Sequence, residues 1–320
     1  MLIAYFSLAG GLLALIFAGD MLVRGSVGIA QKLGIPNLVI GLTIVAFGTS
    51  APELFISLEA GLAGSGGLAL GNVVGSNIAN VLLVLGVPAL IAATPCGEKG
   101  ATRTAMFMVA VSVVFIAMCF QGVIGLTSGI ILLVLLIFFL VDSARSAMRH
   151  RKDMKAAAND CTLEEVDGVP ASTALAIGYI VIGLVGLPLG GHLTIQGATA
   201  IARDWGVSEA TIGLTVVALG TSLPELATTV MAAVRKHGGV ALGNVIGSNI
   251  FNILAIIGIT TVVVPLRVPP EILYMDVWVM LGCSLLLLGL ANYRICLRKT
   301  TGAVLSLGYV GYVIAVYALG

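Results

Sequence analysis

Charge is scarce in this sequence: Asp, Glu, Lys and Arg make up 10% of its 320 residues, against about 25% in soluble domains. The net charge is +1, which provides no basic field to hold nucleic acid phosphates. Cysteine is limited to Cys96, Cys119, Cys161, Cys283 and Cys296, an odd number with no C-x-x-C. Neither a disulfide framework nor a zinc site is indicated. The only histidines are His150, His192 and His237. These shortages exclude a soluble enzyme, a disordered chain and a nucleic-acid binder. What is present is apolar: 59% hydrophobic residues, mean hydropathy +1.12 and 41 Gly. That is the composition of a polytopic membrane protein, whose helices tolerate Gly. The N-terminus lacks a basic n-region and a good cleavage site, so it reads as a span and not as a signal peptide.

A crossing helix takes about 20 mainly apolar residues. Ten such spans are read, at roughly 2–22, 38–63, 68–93, 104–121, 124–146, 171–191, 210–234, 240–264, 273–292 and 303–319. The stretch 147–169 is a short polar linker. Basic residues in short loops mark the inner side of a membrane. With the N-terminus outside, Arg203 and Arg267 are the only two of the sixteen Lys and Arg on the outer side. Both termini are therefore expected outside, in a multi-pass plasma-membrane protein, and the 147–169 linker in the cytoplasm.

The chain repeats itself. Gly41–Gly86 and Gly213–Gly258 align without a gap at an offset of 172, with 26 of 46 positions identical. Residues 1–146 and 170–320 then form two five-span halves. Five is odd, so the halves cross in opposite senses, an inverted repeat of the kind that marks secondary transporters. The loop charges follow suit: Arg24 and Lys32 correspond to Gln196 and Asp204, while Arg235, Lys236 and His237 stand opposite a small-residue turn in the first half. The fold class is all-α, ten helices, with helices 2, 3, 7 and 8 expected to be broken and to form the site.

The segments GTSAPE and GTSLPE place Thr49, Ser50, Pro52 and Glu53, and Thr221, Ser222, Pro224 and Glu225, near the centres of spans 2 and 7. Proline breaks or kinks a helix and frees carbonyls, which is tolerated at this depth where they line a cavity. An ionised carboxylate there costs about 2.5–3.5 kcal/mol on insertion scales. No basic residue sits mid-span, so a bound cation or protonation must compensate. Spans 3 and 8 add Asn72, Ser76 and Asn80, and Asn244, Ser248 and Asn252, at four-residue spacing on one helix face. Asn72, Asn77, Asn244 and Asn249 read as hydrogen bonds between helices. Gly71/Gly75 and Gly243/Gly247 read as close-packing positions. Depth and symmetry assign Ser76, Asn80, Ser248 and Asn252 to a ligand set made only of oxygen, which suits Ca²⁺, Mg²⁺ or Na⁺. Two carboxylates balance one Ca²⁺ or two Na⁺, a balance that suggests exchange.

These motifs, GTSAPE with GNVVGSNIAN and GTSLPE with GNVIGSNIFN, resemble the two α-repeats of the cation/calcium antiporter superfamily, most nearly the prokaryotic sodium/calcium exchanger type. The resemblance implies Na⁺-driven Ca²⁺ extrusion by alternating access. It carries the family's ligands onto Thr49, Ser50, Glu53, Ser76 and Asn80, onto Thr221, Ser222, Glu225, Ser248 and Asn252, and onto the backbone carbonyls of Ala46 and Ala218. It also implies that spans 1 and 6 slide across the core. Their glycines (Gly10, Gly11, Gly19, Gly178, Gly183, Gly186, Gly190) fit loose packing. Some relatives carry Asp at the position of Asn252, notably the potassium-dependent ones, so Asn argues against K⁺ co-transport.

The leading reading is a Na⁺/Ca²⁺ antiporter without cofactor. Its substrates are inorganic cations and its surroundings the lipid bilayer, with no obligate protein partner evident. A cation/H⁺ antiporter using the same two Glu is the rival. An ion channel is disfavoured by inverted halves, and an enzyme by the lack of a nucleophile–base pair. Glu59 reads as interfacial, as do Asp20, Asp142 and Asp276. Trp205, Tyr274 and Trp278 read as interface anchors, and the acidic run 160–167 as a solvated linker face.

Overall fold

The computed structural model describes residues 1–98, 100–157, 170, 172–206 and 218–319. Lys99, Cys161, the acidic run 160–167 and the first part of span 7 lie outside these residues. The helices are α1 (Leu2–Leu33), α2 (Asn37–Thr49), α3 (Ala51–Leu62), α4 (Gly66–Ile91), α5 (Ala101–Cys119), α6 (Leu126–Ala157), α7 (Thr173–Asp204), α8 (Ala218–Thr221), α9 (Leu223–Val234), α10 (Gly238–Val263), α11 (Ile272–Asn292) and α12 (Lys299–Leu319). Eight of the described helices are long and apolar enough to cross a bilayer, and a ninth span results if α2 and α3 count as one. α9 is a shorter apolar helix.

α1 and α7 run much longer than hydropathy indicates. At 32 residues each they extend about 48 Å, well beyond the ~30 Å hydrocarbon core. Arg24, Lys32 and Arg203, expected in loops, therefore lie on helices. Charge does not end α1 because Asp20 pairs with Arg24 one turn on and with Arg235. The helix ends at Gly34, whose φ of 63° is readily reached only by a residue without Cβ, and Pro36 follows. α6 likewise continues past residue 146 to Ala157, so the first part of the expected linker is helical.

Two features place the core. All residues from Gly238 to Ile257 in α10 are buried, as expected of a helix apolar on every side. Second, α1 and α7 pack along their length through glycine. A Cβ on Gly197 would lie 2.5 Å from Leu8 N and 2.6 Å from Ala4 O; on Gly25, 2.6 Å from Ala176 O; on Gly183, 2.9 Å from Ala18 O. The packing is tight, not loose: these glycines bring two backbones together, whereas Gly10 and Gly178 face open space. Gly243 and Gly247 similarly admit Leu38 O and Leu42 O of α2, while Gly71 and Gly75 meet no described atom.

Four two-residue strands tie the loops. β1 (Thr94–Pro95) pairs antiparallel with β4 (Cys296–Leu297), in the register Thr94↔Leu297. β2 (Val123–Ile124) pairs antiparallel with β3 (Leu266–Arg267), in the register Val123↔Arg267. Each pair joins a loop of the first half to a loop of the second.

Candidate cation site

The site is built where two helices stop and restart. α2 and α3 meet at Ser50 with a 45° bend, and α8 and α9 meet at Ser222. The two serines have nearly the same backbone, φ −83° ψ 3° and φ −86° ψ 3°, in the sparsely populated bridge region. The break residue is the serine. Pro52 and Pro224 sit in the first turn of the following helix, where a missing N–H is tolerated. Glu53 and Glu225 share that first turn, at the positive end of the helix dipole, which favours a carboxylate.

α4 and α10 are not broken, contrary to the expectation from sequence. Each is one continuous helix that widens into a π-helical stretch, Asn80–Val84 and Asn252–Ile257. Such stretches begin at the two asparagines of the inferred ligand set. The polar residues are accommodated by re-spacing the ladder, without a break.

Thr49, Ser50, Glu53, Ser76, Asn80, Thr221, Ser222, Glu225, Ser248 and Asn252 are all buried. Ser50 Oγ donates to Glu225 Oε1 at 3.2 Å. A first-half hydroxyl, that of Ser50, therefore reaches the second half's carboxylate. Thr49 Oγ1 lies 3.2 Å from Asn244 Oδ1 and 3.4 Å from Ser248 Oγ. The Ala46 carbonyl is occupied, accepting from Ser50 N at 3.1 Å and from Thr49 Oγ1 at 3.3 Å. Ala218 opens the short helix α8.

Amides brace the two breaks identically. Asn72 Nδ2 donates to Glu53 O (3.2 Å) and Ser57 Oγ (2.9 Å). Asn244 Nδ2 donates to Glu225 O (3.3 Å) and Thr229 Oγ1 (3.0 Å). Sequence reasoning missed Ser57 and Thr229. Their signal was available: both stand one turn beyond Glu and are related by the repeat offset.

Five buried oxygens of these residues have no hydrogen-bond partner among the described residues: Glu53 Oε2, Asn80 Oδ1, Ser222 Oγ, Glu225 Oε2 and Asn252 Oδ1. Buried polar atoms are normally paired. The ion pairs among the described residues join Arg24 and Arg235 to Asp20, and Arg103 to Asp142, and involve neither buried Glu. Unpartnered oxygens of carboxylate, hydroxyl and amide type match the hard ligand set of Ca²⁺ or Na⁺. Among the described residues no three His, Cys, Asp or Glu come together, so a soft transition-metal centre has no ligands here. His237 lies in the α9–α10 turn, where burial and then Arg235 lower its pKa. Glu59 is exposed and separate from the site. A cavity of about 870 Å³, lined by Leu42, Arg103, Phe139 and Asp142 among others, is also separate from both Glu.

Known proteins share this sequence and this arrangement of helices. The family described as sodium/calcium exchanger protein matches residues 3–143 and 175–318. Inner membrane protein YrbG of Escherichia coli is 36% identical, over 89% of this chain and 88% of its own length. Sodium/calcium exchanger MaX1 of Methanosarcina acetivorans is 32% identical over 96% of both chains. Among solved structures, the sodium-calcium exchanger NCX_Mj soaked with Na⁺ and Sr²⁺ superposes with a TM-score of 0.83 at 30% identity, covering 98% of each chain.

Proposed function

We propose, from the premise that this chain belongs to the sodium/calcium exchanger family and is a membrane-embedded cation/calcium antiporter rather than an enzyme, that Na⁺ is its driving ion and that Glu53 and Glu225 hold the Ca²⁺. The observation that carries this reading is the set of five buried oxygens, two of them on Glu53 and Glu225, that have no hydrogen-bond partner among the described residues, where neither Glu joins an ion pair. In it, Asn80 and Asn252 contribute amide oxygens. The hydroxyls of Thr49, Ser50, Ser76, Thr221, Ser222 and Ser248, with the carbonyls of Ala46 and Ala218, form flanking Na⁺ positions. Protons would not require such hydroxyl-rich flanks. An empty, doubly anionic site is costly to move through a low-dielectric barrier. The carrier therefore switches sides when loaded, and loading by either ion enforces exchange.

Ten spans in two inverted halves, 1–146 and 170–320, complete the reading. Contacts between residues 172 apart support it. Ser112 and Ser284 face each other at 3.3 Å, and Asn77 and Asn249 bond reciprocally. Residues equivalent in the two halves meet in this way next to a two-fold axis. The basic-residue count supports a topology with both termini outside and the linker in the cytoplasm.

The test uses proteoliposomes. An outward Na⁺ gradient drives ⁴⁵Ca²⁺ uptake, and Glu53→Gln or Glu225→Gln abolishes it. Uptake that follows a pH gradient and ignores Na⁺ would identify the cation/H⁺ antiporter instead.

A further inference from the structure

Asn77 and Asn249 lie one turn before the two asparagines of the cation site and are themselves buried. Asn77 Nδ2 lies 3.3 Å from Asn249 O, and Asn249 Nδ2 lies 3.3 Å from Asn77 O. A backbone carbonyl only accepts, so the atom that meets it on each side chain must be the NH₂. This anchors both carboxamides without reference to how an amide is oriented on general grounds. Their oxygens must then point the other way. Asn249 Oδ1 faces Asn80 Nδ2 at 3.0 Å, and Asn77 Oδ1 faces Asn252 Nδ2 at 3.0 Å. An oxygen on Asn77 or Asn249 requires a donor opposite it. Asn80 and Asn252 are thereby committed to giving their NH₂ to the brace, and their oxygens are turned away from it. Those oxygens are two of the five partnerless buried ones.

We infer that Asn77 and Asn249 are positioning residues that fix the carboxamide orientation of Asn80 and Asn252, so that oxygen and not NH₂ is offered to the cation. The inference rests on the cation-site reading above. Asn is a two-faced ligand, and an amide turned the wrong way presents a donor to a cation. A carboxylate has no wrong face. An Asp at either site position would not need the brace, and its oxygen would instead clash with the brace oxygen.

The experiment measures ⁴⁵Ca²⁺ binding to the purified full-length protein by equilibrium dialysis, with melting temperature followed in parallel. Binding by the unaltered protein tests the cation-site reading itself; if it does not bind, that reading fails whatever the variants do. Given binding, Asn249→Leu is expected to weaken it by about tenfold, the equivalent of one ligand interaction. The combined Asn80→Asp and Asn249→Leu recovers binding, because a carboxylate at the site position presents oxygen in either orientation. A purely structural brace predicts that Asn80→Asp rescues nothing. That result, or unchanged binding by Asn249→Leu, overturns the inference. If Asn249→Leu alone does not fold, a folded and Ca²⁺-binding double variant is the rescue read on yield, and a double variant that does not fold or bind refutes it.

Discussion

The hydroxyl of Ser50 donates to Glu225 at 3.2 Å, whereas that of Ser222, its counterpart 172 residues on, is buried with no partner among the described residues. Sequences that are equal at these positions have unequal surroundings. Glu225 accepts from the first half's Ser50 through Oε1, and each Glu keeps its Oε2 without a partner among the described residues. The two serines therefore answer differently to the same substitution.

Ser50→Ala removes a donor from a buried carboxylate, a loss of about 1.5–3 kcal/mol. It should lower the melting temperature in Na⁺-free buffer. Ser222→Ala removes a buried hydroxyl that has no partner among the described residues and should leave that melting temperature unchanged or raise it. Both should raise the Na⁺ concentration that half-saturates transport. Equal destabilisation by the two variants would contradict the asymmetry.

Cation binding to the folded protein alone must stabilise it, by about 2.7 kcal/mol when the ion stands at 100 times its Kd. Titrating Ca²⁺ or Na⁺ into ion-free protein should raise the melting temperature progressively. The double variant Glu53→Gln, Glu225→Gln should not respond to Ca²⁺. A response of the same size in that variant would place the ion elsewhere.

Glycine spacing along α1 and α7 gives a stability prediction with opposite signs. Gly197→Ala forces a Cβ against Leu8 N and Ala4 O, and Gly25→Ala against Ala176 O. Neither backbone can move without parting the helices, so both should destabilise. Gly178→Ala meets nothing within 4 Å and gains helix propensity, up to about 1 kcal/mol. Comparative melting in detergent decides between these signs.

Asp20 on α1 bonds Arg235 in the turn between α9 and α10, and the repeat supplies no counterpart: the equivalent positions are His192 and Ala63. Under the sliding mechanism that the family resemblance implies, this tie must break when α1 and α7 move. Asp20→Asn should change the exchange rate and leave equilibrium Ca²⁺ affinity intact. Arg103 and Asp142 form a more exposed pair, the kind that contributes about 0–1 kcal/mol. Asp142→Asn should alter neither quantity. Matching rates for Asp20→Asn and the unaltered protein would show that α1 does not leave the turn.

Much of the site is legible along the chain. Glu53, Glu225 and their hydroxyl neighbours stand at matching depths in two copies of one motif, and depth and chemistry are both readable from residue order. Helix ends and breaks are less so. Hydropathy windows close α1 near residue 22 because they count Asp20 and Arg24 as costs; the helix continues because Asp20 is paired with Arg24 and with a residue 215 positions away. Proline marks the break in the second span to within two residues, yet the residue that leaves the helix is Ser50. Helices 3 and 8 are expected to be broken, whereas their backbones widen into π-helical stretches from Asn80 and Asn252 instead.

The sequence by itself determined a membrane-embedded helical protein, the internal repeat and the oxygen character of the candidate site. All three are properties of composition and order along one chain. Tertiary structure decided which half's hydroxyls serve which carboxylate, that the α1 and α7 glycines lock two helices together, and which face of Asn80 and Asn252 is free. Those are relations between helices. A hydrogen bond depends on where the partner's carbonyl lies in space, and only the packing of α4 against α10 puts Asn249 O opposite Asn77.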